Sequence, residues 1–147
     1  LWLEHGRLIG DDTDGHIDTL ARFCDDRTIA YVSCVDEQDP HYHSLKMMEQ
    51  QLKRFTDADG RPYELIPLPL PGAQYNAEGE RLPATYANFL IINHAVLLPT
   101  YADPLDMIIS KRLAARFPGR EIIHIDARPL IQQYGSIHCA TMQLPAA

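Results

Sequence analysis

"DPLDMIISKRLAARFPGREIIHIDA", residues 103–127, sets a helix, a stop and a strand end to end. Asp103 is a good N-cap, and Pro104 suits a first helical turn, where its missing N–H had no partner. Leu105, Ile108, Ile109, Leu113 and Phe117 then recur at a spacing near 3.6 residues. Pro118-Gly119-Arg120 marks the exit, and residues 121–127 form an extended run. The same order stands earlier in the chain. Asp39-Pro40 precedes Leu45, Met48, Leu52 and Phe55, then Asp57-Ala58-Asp59-Gly60-Arg61 and a second extended run at 63–70. Upstream of each helix lie two β-like segments joined by a hairpin-like turn: 17–23 and 28–34 in one copy, 88–92 and 95–98 in the other. The unit is therefore strand–strand–helix–strand, and it recurs at a period of roughly 60 to 70 residues. The fold class is α/β, with modules over about residues 14–71 and 84–130. A third copy begins at about residue 135, and residues 1–3 are expected to be the last strand of a copy before the first. Residues 67–83, rich in Pro and Gly, are expected to be a long loop. Units of this kind bury a core only against neighbours, so two units and two stubs predict part of a ring.

The bulk numbers narrow the function classes. The chain has 147 residues, 46% of them hydrophobic, with a net charge of −7 and no basic tract, which argues against a nucleic-acid partner. No apolar run approaches the roughly 20 residues of a membrane-spanning helix. Three cysteines at irregular spacing, Cys24, Cys34 and Cys139, do not form a disulfide framework and favour a reducing, cytoplasmic setting. Cys24 and Cys34 are expected in the core.

The acidic stretch "GDDTDGHID", residues 10–18, admits several readings. A calcium loop with Gly15 at its sixth position would place Asp12 and Asp14 correctly. It would also put Gly10 and Ala21 where carboxylates are required, so it fails. His16 and Asp18 offer zinc only two ligands, with no third nearby. His41 and His43 open a helix and are expected to face solvent. An Asp/Gly turn capping its own backbone accounts for Asp11. His16 and Asp18, at i and i+2, share one face if extended and can address one ligand together. Aligning the copies by their helices puts His16 and Asp18, Asn88 and Cys139 at corresponding strand starts, which converge in a ring. Cys139 is then either a nucleophile or a structural thiol. His138 is expected to point to the opposite face of an extended strand from Cys139.

"GDDTDGHIDTLARF", "YANFLIINHAVLLPTY" and "FPGREIIHIDARPLIQQYGSIHC" resemble the agmatine deiminase family, which includes bacterial peptidylarginine-deiminase-like enzymes. The resemblance runs over essentially the whole chain. It implies a five-fold pseudosymmetric α/β-propeller of ββαβ modules, of which this chain is the C-terminal part, about two modules plus strands of two others. It implies hydrolysis of a guanidinium C–N bond, with agmatine giving N-carbamoylputrescine and ammonia in putrescine biosynthesis. Deimination of peptidyl or free arginine is the alternative, and an inactive truncated fragment a third. By motif, Cys139 resembles the nucleophile, His16 the general acid/base, and Asp18 a carboxylate that binds guanidinium nitrogens. Asn88 and Asp14 are further polar candidates around the substrate. Gly15 and Gly135 let the backbone come close to it. A further substrate carboxylate is implied upstream of the H-x-D element. No metal or organic cofactor is implied. The implied partner is a small cationic guanidino compound, with no nucleic acid and no membrane, and homo-oligomer formation stays open.

Overall fold

The computed structural model describes residues 1–11 and 15–144. Two ββαβ units account for most of it. In the first, β1 (Ala21–Asp25) and β2 (Thr28–Ser33) form an antiparallel hairpin; α1 (Tyr42–Leu52) then returns the chain to β3 (Glu64–Pro69), parallel to β2. A small antiparallel hairpin follows, β4 (Gln74–Tyr75) with β5 (Arg81–Leu82). In the second unit, β6 (Leu90–Ile91) pairs antiparallel with β7 (Ala95–Thr100), and α2 (Leu105–Arg116) leads to β8 (Glu121–Asp126), parallel to β7. The copies agree in detail. Glu64 N–H donates to the Arg27 carbonyl and Glu121 N–H to the His94 carbonyl, both at 2.9 Å. At the far end Leu70 N–H reaches Ser33 O, and Ala127 N–H reaches Thr100 O, again at 2.9 Å.

Apolar spacing decides which helix face is buried. Leu45, Met48 and Leu52 are buried on α1; Ile109 and Leu113 are buried on α2, with Phe117 just beyond it. Ile108, expected in that stripe, is half-exposed, because the i, i+4 row from Leu105 to Phe117 already fills the contact. The two aspartates before the helices act alike: Oδ1 accepts from the N–H two residues on, His41 in one copy and Leu105 in the other, both at 2.8 Å. The units meet along a seam where Arg116 of α2 bonds Asp25 and Thr28, and reaches Glu64 at 3.2 Å. Phe89 and Phe117 pack edge to face there, 6.1 Å apart.

Several expectations need correcting. Strand 17–23 begins only at Ala21, since Thr19 N–H and Oγ1 both bond the His16 carbonyl and wind residues Ile17–Thr19 into a 3-10 turn. Tyr86–Asn88 is likewise a 3-10 turn, with Thr85 Oγ1 accepting Ala87 N–H. Residues 135–139 do not start a strand: Ala140 N–H bonds Ser136 O and Thr141 N–H bonds His138 O, which makes a turn. Residues 1–3 form no strand, and Trp2 is exposed. The expected loop 67–83 holds the end of β3 and the β4–β5 hairpin. Gly60 does not close α1; it turns the chain between the bridged residues Thr56 and Pro62. Cys24 and Cys34 are only partly buried, packed against the core from outside. Among the described residues, no helix is long and apolar enough to cross a membrane.

His41 also departs from expectation. His43 is exposed, but His41 is buried; its Nε2 accepts Ile9 N–H at 2.8 Å and its Nδ1 meets Asp39 Oδ1 at 2.7 Å. An Nε2 that accepts leaves the proton on Nδ1, so the imidazole donates to Asp39. Burial, the dominant influence, pushes His41 below its ordinary value and favours this neutral form. Burial of Asp39 works to raise its pKa, but the Arg81 guanidinium at 2.8 Å and the His41 N–H groups outweigh it and hold the carboxyl at about 2.

Two measurements test this packing. Leu113→Ala should cost about 2–5 kcal/mol in urea unfolding, as a buried leucine deletion does. Met107→Ala, on the exposed side of the same helix, should change stability by less than about 0.5 kcal/mol; equal losses would mean the buried face is misassigned. The depressed Asp39 pKa stabilises the fold fully above the ordinary aspartate value of about 3.9, and that contribution fades as pH falls towards 2. Asp39→Asn should therefore start less stable at neutral pH and lose less Tm than the parent across this window.

Candidate active site

Both 3-10 turns stand immediately ahead of the first strand of a unit, and they pack against each other. Asp18 is carried by one turn and Asn88 by the other. Cys139 arrives on the turn after the last 3-10 segment, Leu130–Gln133. Asn88 is fully buried at the centre. Its Nδ2 lies 3.0 Å from Asp18 Oδ2, 3.2 Å from the Asp18 carbonyl and 3.2 Å from Cys139 Sγ. Two amide hydrogens are thus shared among three acceptors. Its Oδ1 accepts Cys139 N–H at 3.3 Å, and its main-chain carbonyl accepts His138 N–H at 3.2 Å. Cys139 Sγ in turn stands 3.3 Å from Asp18 Oδ2.

Of the residues expected to share a site, the structure brings Asp18, Asn88 and Cys139 into contact. Gly135 touches the same cluster: a Cβ there would lie 2.8 Å from Cys139 Cβ and 3.3 Å from Sγ, so a side chain would displace the thiol. Gly15 serves differently. Its surroundings are open, but its φ of +80° is a conformation that other residues rarely adopt. His16 is exposed at the entrance to the first turn, and the strand geometry expected for the His16–Asp18 pair is replaced by that turn. Asp14, with Asp12, lies outside the described residues. Among the described residues, no three His, Cys, Asp or Glu side chains gather as metal ligands.

Sequence reasoning set His138 aside, and this needs correcting. Opposite faces hold only for an extended strand; in the turn observed, His138 Nδ1 reaches Asp18 Oδ2 at 2.7 Å, the same oxygen that faces the thiol. Arg22 was also missed. From β1 it donates to the Phe89 carbonyl at 2.8 Å and sits 5.3 Å over the Phe89 ring, and its charge is felt by Asp18, Cys24 and Cys139. The signal was its place four residues beyond Asp18 in the motif.

The electrostatics favour an anion at Asp18 and a neutral thiol. Burial of Asp18 works to raise its pKa, but hydrogen bonds from His138 and Cys139, the His138 charge and the Asn88 amide outweigh it. Its carboxyl is therefore held below the ordinary value. The Cys139 thiol is pushed up, first by partial burial and then by the hydrogen bond and charge of Asp18; bonding to Ser136 and Asn88 opposes this. A cation at Asp18 would cancel the second influence. Beside the cluster lies an apolar cavity of about 260 Å³, bordered by Leu3, Ile17, Phe23 and Phe55, where charge interactions are less screened.

An agmatine deiminase of Pseudomonas fluorescens is 33% identical over 163 residues, covering 99% of this chain and 44% of its own length. A Porphyromonas gingivalis structure, provisionally assigned as an arginine deiminase, is 59% identical with a TM-score of 0.96, covering 99% of this chain and 42% of that one. A C. jejuni agmatine deiminase, solved as a cysteine-to-serine variant with substrate bound, is 50% identical with a TM-score of 0.86, covering 93% of this chain and 39% of that one. The chain thus spans less than half the length of the relatives it matches. The model of the Porphyromonas-type peptidyl-arginine deiminases matches residues 1–145, and the chain belongs to that family.

Proposed function

We propose that this chain forms the C-terminal part of a deiminase catalytic domain, a partial five-fold α/β-propeller. The domain hydrolyses a guanidinium C–N bond, with agmatine as substrate and N-carbamoylputrescine and ammonia as products. The observation that carries the proposal is the cysteine thiol 3.3 Å from a carboxylate oxygen held anionic by its neighbours. A guanidinium is planar, cationic and a poor electrophile, and carboxylates placed around it fix its plane through charge-assisted N–H bonds. Relatives named as agmatine deiminases support the substrate, one of them solved with substrate bound.

Each residue takes a role in this reading. Asp18 binds guanidinium nitrogens and brings the carbon beside Cys139. The arriving cation offsets the carboxylate charge that disfavours the thiolate, so the nucleophile is activated when substrate is present. Cys139 gives its proton to His16 as Sγ bonds to the guanidinium carbon; His16 then delivers that proton to the departing nitrogen, the N–C bond breaks and ammonia leaves. His16 then takes a proton from water, which attacks the amidino-thioether carbon. The C–S bond breaks, releasing the urea-type product and restoring the thiol. Asn88 holds Asp18 and Cys139 in register, and Gly135 leaves room for the thiol. Gly15 shapes the backbone that carries His16, with Asp14 a further polar neighbour. An upstream segment supplies the rest of the ring and a second guanidinium carboxylate.

Full-length protein should release ammonia from agmatine faster than from arginine or a C-terminal-arginine peptide. Turnover of the peptide without agmatine would reverse the substrate order, and no turnover of any would leave a non-catalytic relative that only binds. In mass spectrometry, chloroacetamidine should label Cys139 ahead of Cys34, whose thiol burial raises, and ahead of Cys24, which burial pushes up to about 11. Asp18→Asn should move the Cys139 alkylation midpoint with neutral iodoacetamide to lower pH, because an anion beside the thiol is gone. It should also reduce guanidino turnover by about 10²-fold or more. An unmoved midpoint would separate Asp18 from the thiol.

A further inference from the structure

Asp18 presents its two oxygens unequally. Oδ2 faces three donors: His138 Nδ1 at 2.7 Å, Asn88 Nδ2 at 3.0 Å and Cys139 Sγ at 3.3 Å. Among the described residues, none of these donors is directed at Oδ1. A carboxylate oxygen has about two lone pairs, so Oδ2 is saturated while Oδ1 keeps its capacity. The shortest of the three bonds comes from His138, and that imidazole is itself held at both ends of its residue. Its N–H bonds Asn88 O at 3.2 Å, and its carbonyl accepts Thr141 N–H at 3.0 Å and Thr141 Oγ1 at 2.9 Å. An ionised carboxylate can only accept, so the Nδ1 proton belongs to His138.

We infer that His138 is a positioning residue: by anchoring Oδ2 of Asp18 it aims Oδ1 at the guanidinium, beside the Cys139 thiol. The inference rests on Asp18 being the guanidinium carboxylate. Asn88 alone does not fix the carboxylate plane, because its Nδ2 is divided among the Asp18 carbonyl, Oδ2 and the Cys139 sulfur. The His138 bond approaches from the other participating turn and removes that freedom. His138 and Cys139 are adjacent in sequence, so the turn that sets the nucleophile also sets the anchor. A shift of one carries the other with it, and cation and thiol stay in register.

The test separates this from catalysis as such. Cys139 alkylation in the full-length protein is followed with two reagents of one leaving group, cationic chloroacetamidine and neutral chloroacetamide. Their rate ratio reads cation recruitment by Asp18, and the neutral reagent alone reads thiol access and intact folding. His138→Ala should lower the ratio by about tenfold, the effect of losing one hydrogen bond to a charged group. It should leave the chloroacetamide rate within about twofold. His138→Asn, whose amide can stand near the Nδ1 position, should keep most of the ratio. An unchanged ratio in His138→Ala, or equal losses in both variants, would overturn the assignment. Failure of agmatine turnover with the ratio pattern intact would overturn the deiminase reading instead.

Discussion

Asn88 is enclosed completely, and both ends of its side-chain amide are committed to other stretches of chain. A buried amide left unpaired costs roughly 1–3 kcal/mol, so this residue tolerates one arrangement of Asp18 and Cys139 and penalises the rest. The constraint is structural before it is chemical. The two ββαβ units share no sheet, and the contact between their leading turns joins the Arg116 seam in holding the second unit on the first. Thiol, carboxylate and amide come together because the fold closes there.

That closure has its own support. Tyr86, at the head of the Asn88 turn, donates to Asp106 Oδ1 at 2.6 Å, and Asp106 also accepts from Tyr101 and Asp103 N–H groups at the start of α2. Tyr101 OH donates to the Thr85 carbonyl at 2.9 Å and accepts Thr85 N–H at 3.1 Å, and its ring meets Tyr86 edge to face at 5.5 Å. The first turn of α2 is thereby tied to the turn that carries Asn88. A helix that reads in sequence as an amphipathic prop is also a brace for the site. Its opposite end carries Arg116, which binds the first unit across the seam.

The repeat was legible because it rests on local rules. Asp-Pro before each helix, apolar residues three and four apart, and β-rich runs bounded by turn residues are written in short windows. The convergence of Asp18, Asn88 and Cys139 was legible from the repeat, since equivalent positions meet when units stack. What escaped were the last details of backbone at those positions. Thr19 and Thr85 divert their turns by side-chain hydrogen bonds, a competition with strand structure that composition does not announce. Treating 135–139 as a strand misdirected His138, because alternation holds only while the chain is extended. His41 was misplaced for a related reason: its partner, the Ile9 N–H, lies 32 residues away.

The carboxylate beside the Cys139 thiol has a consequence for the idle protein. Peroxides and disulfides are attacked by the thiolate, not the thiol. With partial burial and Asp18 both disfavouring that form, an unliganded site holds its sulfur in the form less open to oxidants. The anion that would recruit a cation also works as a chemical safety catch on an otherwise exposed cysteine, one that a bound cation would release.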